Sequence, residues 1–180
     1  ILYFKKKIKQ YLAFDPISQP KECINYLLKM GVSVHYVNNA LSNENSISPF
    51  YLTVREDSSS LKKTIKTSAQ YFDDVKPKNT IDVNVNMLDN YIERIKQMEA
   101  PRALKVDVQG AEYELILGSS QVLKEFKYIF IEIAVESLYI DSSDPDKLIS
   151  LLKNKGFSIH LCYNRLYSNS KLLSIDYLFI

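Results

Sequence analysis

Hydrophobic and polar positions along the chain change period repeatedly, from two to about 3.6 and back, which is the mark of strands and helices in alternation. Tyr11 to Asp15 is a short apolar run ending in an acid, and predicts a strand. Pro20 to Met30 has helical spacing through Cys23, Leu27 and Met30, with Pro20 in the first turn and Gly31 as the stop. Val32 to Leu41 is β-branched and aromatic enough for a strand. Pro49 to Val54 and Ile81 to Val85 predict two more, and Leu88 to Met98 is a helix closed off before Pro101.

The second half keeps the rhythm. Leu104 to Gly118, reading LKVDVQGAEYELILG, passes from an apolar strand through Gly110 directly into a helix. Glu112 to Phe126 is helical with a break near Gly118 to Ser120, and Tyr128 to Val135 is a nearly continuous apolar run around Glu132, suited to a strand covered on both faces. Asp144 to Lys155 opens with an acid and Pro145, carries Leu148, Leu151 and Leu152 on one stripe, and ends at Gly156. Phe157 to Tyr163 and Leu173 to Phe179 form a terminal strand pair. The segment Leu27 to Gly31 is echoed in kind by Leu151 to Gly156, a helix, a glycine stop and then a strand. The expected fold is therefore α/β: a doubly wound, mostly parallel sheet with helices on both faces and an antiparallel strand at the C-terminal end.

Residues 55–80 break this economy. They are rich in Ser, Lys, Thr and Asp and longer than a plain connection, so they read either as a substrate-side flap or as a solvated, partly helical excursion. At 180 residues the chain fits one domain, 1–180, and 46% hydrophobic with 24% charged residues is the balance of a water-soluble globular protein. A net charge of +2 is too small to argue for nucleic acid, and the lysines at Lys5-Lys6-Lys7 and Lys62-Lys63-Lys66 read as solvated faces. Cys23 and Cys162 have no metal-ligand spacing and read as reduced packing residues, as do His35 and His160 within strand patterns. No apolar run spans a bilayer and there is no signal peptide, so a cytoplasmic protein is expected. No Ser-His-Asp arrangement, CxxC, HExxH or P-loop is present, leaving hydrolysis by a nucleophile, zinc chemistry and nucleotide triphosphate use without support.

The remaining chemistry gathers at Leu104 to Gly118. Strand periodicity puts Lys105, Asp107 and Gln109 on one face, with Glu112 and Glu114 just beyond, and the carboxyl ends of strands are where ligands sit in open α/β sheets. Asp107 is either a ligand-facing acid or a cap for the next helix, and Glu112 either a site acid or a first-turn acid. Lys105 either orients a ligand or pairs with Asp107 or Glu132.

The same stretch resembles the FkbM-type methyltransferases, whose segment reads approximately lKiDvEGaE..vL.Ga. The matching residues are Leu104, Lys105, Val106, Asp107, Val108, Gly110, Ala111, Glu112, Leu117 and Gly118, with Gln109 where an acid is common. Three shorter echoes follow the family order: Ala13-Phe14-Asp15-Pro16, Asn39-Ala40-Leu41-Ser42 and Phe130-Ile131-Glu132, so that the likeness runs from Leu12 to about Gly156.

The resemblance implies a Rossmann-like fold and S-adenosylmethionine as cofactor. The implied reaction is O-methylation of a hydroxyl, on a glycan sugar or a related small metabolite, with a small-molecule or glycan acceptor and neither nucleic acid nor membrane as partner. It implies that Asp107 orients the sulfonium side of the cofactor or takes the acceptor's proton, with Glu132 as a second candidate base and Lys105 as partner. Asp15, beside Phe14, would receive the ribose hydroxyls, against the alternative of a plain Asp-Pro turn. Asn39 and Ala40 would meet the adenine edge. It also implies that the sequence starts inside a domain, since ILYFKKKIKQ reads as a piece of amphipathic helix and the four glycines, at 31, 110, 118 and 156, form no GxG. The first strand and its glycine-rich turn would then lie upstream. Two other readings stand beside this one: an NAD-dependent Rossmann enzyme, and a non-catalytic methyltransferase-like interaction module.

Overall fold

The computed structural model describes residues 8–17, 21–65, 71–72 and 75–180. Strand β1 (Gln10–Phe14) is followed by helix α1 (Lys21–Lys29), and strand β2 (Ser33–Val37) returns parallel to β1, with Gln10 opposite Ser33 and Phe14 opposite Val37. Gly31 ends α1 in the left-handed region at φ +76°. Its N–H reaches the Leu28 carbonyl at 2.9 Å while the Val32 N–H reaches Leu27 at 3.0 Å, so orphan carbonyls of the last turn are satisfied. The opening segment through Lys7, together with Pro20 and Lys66, lies outside the described residues.

The single strand expected over 32–41 is two strands in different sheets, β2 and then β3 (Ala40–Leu41). The break falls at Asn38 and Asn39, whose amides are drawn sideways: Asn38 donates to the Asp15 carbonyl at 3.1 Å, and Asn39 to the Asn86 side chain and to the Tyr91 hydroxyl. Short amide side chains compete with ladder bonds in this way. Strand β3 lies parallel to β5 (Pro77–Asn86), and β5 is antiparallel to β4 (Ser46–Thr53), both longer than the pattern predicts. The polar segment between them, which includes a 3-10 turn at Glu56–Ser58, therefore joins two antiparallel strands.

The third sheet has the order β6 (Ala103–Val106), β7 (Tyr128–Ala134), β9 (Lys171–Phe179), β8 (Ile159–Ser168). Strands β6 and β7 are parallel, β9 runs antiparallel to both its neighbours, and the terminal pair turns through Asn169 and Ser170, both at positive φ. Among the described residues parallel and antiparallel pairings are equal in number, three each, and fall in three separately bonded sheets. The fold is α/β with mixed sheets, a correction to the mostly parallel one expected.

Helices α2 (Ile92–Gln97, after a 3-10 turn at Leu88–Tyr91), α3 (Glu112–Leu117) and α4 (Pro145–Asn154) supply the main core. Leu88, Ile95, Ile116 and Leu152 pack with Ile129, Ile131 and Ile133 of β7, all 3% exposed or less, and full burial of such side chains is worth about 1.5–3 kcal/mol each. Burial along β7 alternates strictly: Phe130, Glu132 and Ala134 are only half-buried, so this strand is closed on one face, not both. Helix α4 starts as its sequence predicts, with Asp144 accepting from the Asp146 N–H at 2.8 Å and Pro145 in the first turn. Cys23, Cys162, His35 and His160 are exposed, not packed, because their strands and helix turn those positions to solvent.

A second cluster, Ala40, Phe50, Val83 and Val85, belongs to the hairpin sheet. The two bodies touch at Gly118, where a Cβ would stand 2.0 Å from the Ser42 carbonyl oxygen. Gly118→Ala is expected to destabilise the protein by about 2–4 kcal/mol in urea unfolding, through this backbone collision. Gly31→Ala, with nothing within 4 Å, meets only the penalty of its positive φ, about 1 kcal/mol. Equal midpoints for the two variants would remove the close contact.

Candidate functional site

Strand β6 ends at Val106, so Asp107 is the first residue beyond its carboxyl end. The registers Lys105 with Phe130 and Glu132 with Asp176 carry Lys105, Asp107, Glu132 and Asp176 across three strands on one face, opposite the face that buries Val106 and Ile131. Lys105 Nζ lies 2.6 Å from Asp107 Oδ2, and Gln109 Nε2 donates to Oδ1 at 2.8 Å, so both carboxylate oxygens are held. The Asp107 side chain is still 41% exposed and Lys105 67%. A pair this open adds at most about 1 kcal/mol, so what it supplies is orientation. Asp107 does not cap α3: the cap position is Ala111, with no side-chain cap, and Glu112 Oε1 takes the Gly110 N–H at 3.0 Å.

The turn after Asp107 is unusual. Gln109 (φ +53°) and Gly110 (φ +94°) are consecutive left-handed residues, a conformation that a Gln adopts only when its surroundings compensate. The Gln109 amide supplies part of that compensation, since it donates to Asp107 while its Oε1 lies 2.9 Å from the Tyr139 hydroxyl, which is also 2.9 Å from the Ser58 carbonyl. Ser60 Oγ donates to the Gln109 carbonyl at 2.6 Å. At Gly110 a Cβ would come 2.9 Å from Tyr139 Cβ, so no larger residue fits. Of the polar segment expected as a flap or as a solvated, partly helical excursion, residues 56–65 are described, with a 3-10 turn at Glu56–Ser58 whose Glu56 and Asp57 are exposed. Ser58, Ser59 and Ser60 are buried, and bridges Tyr51 to Ser60 and Thr64 to Tyr139 tie it down against the turn. Lys62, expected on a solvated face, is instead in a partly buried pair with Glu114 at 2.6 Å, and Lys63 lies 5.2 Å from the centre of the Tyr51 ring.

The carboxylates behind Asp107 bind protons more tightly than usual. Burial pushes the pKa of Glu112 up to about 7, with Glu132 and Asp107 adding to the effect. Glu132 is likewise raised by burial and by Asp107, against the opposing hydrogen bond that Ser174 donates to it. Burial, then Glu112, Glu132 and Asp107, keep Tyr139 protonated far above the ordinary phenol range. Tyr163, edge-on to Phe130 at 6.3 Å, is raised by burial and by Asp176. Chemically this is an acid-rich floor with Lys105 at Asp107, able to hold or pass a proton near neutrality.

The sequence-predicted residues fall into two groups. Lys105, Asp107 and Glu132 are brought together. Asp15 stands at the carboxyl end of β1, where Oδ1 accepts the Ile17 N–H at 2.8 Å in an Asp-Pro turn and its carbonyl receives Tyr36 Oη at 2.7 Å. Asn39 is bonded to Asn86 and Tyr91. Phe14 is half-buried, edge-on to Tyr91 at 4.8 Å, and Ala40 is 6% exposed in a cluster with Phe50. Tyr91 thus touches Phe14 with its ring and Asn39 with its hydroxyl. Sequence reasoning missed Ser174 and Asp176, although their alternate positions in a strand were a usable signal. Ser60 and Tyr139 come from distant segments and left none.

Glu112 yields a pH test. Because its folded pKa lies above the unfolded value of 4.5, the folded state binds more protons between pH 4.5 and about 7, and stability contributed by this group falls as pH rises through that window. Glu112→Gln is expected to flatten the slope of unfolding free energy between pH 5 and 7, removing up to about 3 kcal/mol of change. An unaltered pH profile would place Glu112 in ordinary solvent. Gln109→Glu is expected to cost about 1–2 kcal/mol at neutral pH, recovered on acidification, since it replaces the donor facing Asp107 by a like charge.

The methyltransferase FkbM domain family matches residues 1–159 of this chain. The crystal structure of methyltransferase FkbM from Methylobacillus flagellatus KT is similar in fold, with a TM-score of 0.51 and 13% identity, over 94% of this chain and 36% of that one. The present chain therefore spans about a third of that protein's length. No curated protein matches it.

Proposed function

The chain belongs to the FkbM methyltransferase domain family, and on that premise we propose that it is an S-adenosylmethionine-dependent O-methyltransferase acting on a hydroxyl of a sugar, a glycan or a related small metabolite. The observation that carries this reading is the strand-end carboxylate of Asp107, open to solvent yet fixed at both oxygens by Lys105 and Gln109. An oriented acid in front of proton-binding neighbours is what activation of an alcohol needs, because a hydroxyl is a poor nucleophile until its proton leaves.

The cofactor, when bound, brings a methyl group already activated on its sulfonium. The residues at the carboxyl ends of β1 and β2 suit its adenosyl part: Asp15 keeps a second carboxylate oxygen beyond the one that closes its turn, Asn38 bonds the Asp15 carbonyl, and Asn39 follows it in the chain, its amide on Asn86 and Tyr91. Phe14 and Ala40 adjoin these residues in the chain and are the remaining candidates for contact with the adenosyl part. On the acceptor side, Asp107 aligns the hydroxyl, and Lys105 and Gln109 keep the carboxylate from rotating away. Glu132, raised in proton affinity by burial, stands on the next strand to take up the proton. Little covalent work is left to the protein, so alignment and exclusion of water carry the rate.

The proposed setting is the cytoplasm. Among the described residues no helix is long and apolar enough to cross a membrane.

In the full-length protein, Asp107→Ala is expected to lower methyl transfer at least about tenfold, the low end for loss of a positioned acid or base. Calorimetric binding of S-adenosylhomocysteine is expected to persist in the same variant. Undiminished turnover would remove Asp107 from the site, and binding of NAD without S-adenosylhomocysteine would replace the cofactor assignment.

A further inference from the structure

The Tyr139 hydroxyl has one proton and faces two oxygens that can only accept. The Ser58 carbonyl and Gln109 Oε1 each lie 2.9 Å from it, and burial keeps the phenol protonated, so it has one hydrogen to give and never two. One of the two acceptors is short of a donor. The far end of the same amide sets this arrangement: the Asp107 carboxylate only accepts, so Nε2 must face it, at 2.8 Å, and Oε1 is left towards the phenol. Reversing the amide would remove the shortage, because Nε2 would then donate to Tyr139 Oη and the Tyr139 proton would go wholly to Ser58. Such a reversal needs a donor on Asp107, and a protonated carboxyl is one. The amide can turn in place, since its terminal torsion is roughly two-fold and its N and O are nearly alike in size. Its surroundings stay fixed meanwhile. Ser60 Oγ holds the Gln109 carbonyl at 2.6 Å, and Tyr139 is 4% exposed, with no space for a Cβ between it and Gly110.

We propose that Tyr139 is a positioning residue for Asp107, acting through a reversible Gln109 amide. With Asp107 ionised, hydrogen bonds run from Tyr139 to Gln109 to Asp107; with Asp107 protonated, they run from Asp107 to Gln109 to Tyr139 and on to the Ser58 carbonyl. Every bond of the second arrangement has its own donor and acceptor, so Asp107 gains a proton without losing the contact that orients it. Only that proton enters or leaves, from solvent, to which the Asp107 side chain is 41% exposed, or from a bound hydroxyl. Lys105 cannot serve in this way. Its ammonium only donates, so the bond at 2.6 Å favours the ionised form alone. The other titratable groups facing Asp107 come from every neighbouring element: Glu132 on β7, Asp176 on β9, Tyr163 on β8 and Glu112 at the start of α3. They are common to all the proteins compared below. Only the catalytic consequence rests on the function proposed above: Asp107 can hold the acceptor hydroxyl's proton, before Glu132 takes it up, while the oxygen's electron pair goes to the methyl carbon.

The test is a pH titration of the full-length protein by NMR, reading the Asp107 carboxyl carbon and the Gln109 side-chain amide. In the wild type the amide signals are expected to move with the same midpoint as the Asp107 carbon, because each protonation reverses the amide. Tyr139→Phe takes one hydrogen bond from the ionised arrangement and two from the protonated one, so the proton affinity of Asp107 is expected to fall about fivefold, a midpoint lower by about 0.7 pH unit. Gln109→Met keeps the length of the side chain and removes the amide. In that background Tyr139→Phe is expected to change the Asp107 midpoint no further. The proposal is overturned if the wild-type amide ignores the Asp107 titration, if Tyr139→Phe leaves the midpoint in place or raises it, or if the fall is as large without the Gln109 amide. A lower thermal midpoint with an unmoved titration would make Tyr139 a packing residue only. Methyl transfer, assayed in parallel, separates the two readings: a titration that behaves as expected in a protein that transfers no methyl group upholds the Tyr139 assignment and sinks the methyltransferase, and the converse result does the reverse.

Discussion

Two successive left-handed residues, Gln109 and Gly110, decide where every other group of the site stands. The turn follows strand β6 and leads into helix α3 at Glu112, five residues after Asp107, and left-handed backbone at a Gln is unfavourable by itself. It persists because three separate elements grip it: Asp107 and Tyr139 from either side of the Gln109 amide, and Ser60 on its carbonyl. The same grip fixes the carboxylate of Asp107. Conformation and chemistry are therefore one arrangement here, and the strained backbone lies beside the reactive group, where such strain is commonly found.

The identity of residue 109 follows from this double duty. An amide can donate to a carboxylate with one end and receive a phenol's proton with the other, while a glutamate can only accept. With Asp107 at 2.8 Å on one side and Tyr139 at 2.9 Å on the other, the amide satisfies both neighbours without adding a charge. A further acid at this point would crowd a floor that already holds Asp107, Glu112, Glu132 and Asp176 beside Lys105.

Local signals were legible in the chain and non-local ones were not. The glycine stop of α1, the Asp144 cap with Pro145, and the face shared by Lys105, Asp107 and Gln109 all depend on residues a few positions apart, and all are found. The even alternation of β7 was masked because its outer face carries Phe130, Ile-rich spacing continues on the inner one, and a half-buried aromatic is indistinguishable from a core residue in the sequence. The break between β2 and β3 depends on Asn86 and Tyr91, some fifty positions away from Asn39. The mixed sheets come from a hairpin whose connection is so long and polar that its two strands gave no sign of pairing. Composition marked 55–80 as exceptional, but only the folded chain reveals that Ser60 and Tyr139 bring it to the strand-end turn.

That segment ties the two polar regions of the molecule together. Ser60 Oγ donates to the Gln109 carbonyl on one side and accepts the Lys62 N–H at 2.9 Å, while the Lys62 side chain reaches Glu114. Within three residues the chain thus reaches both the turn that positions Asp107 and the ion pair on helix α3. Neither contact is strong alone, since a hydrogen bond of this kind nets about 1 kcal/mol. Their placement is what matters: helix α3 holds Glu114 against Lys62, and the turn holding Asp107 opens that same helix, so the geometry of one region is not independent of the other. A rigid helix of only six residues, closed at Gly118 against Ser42, leaves little slack between them.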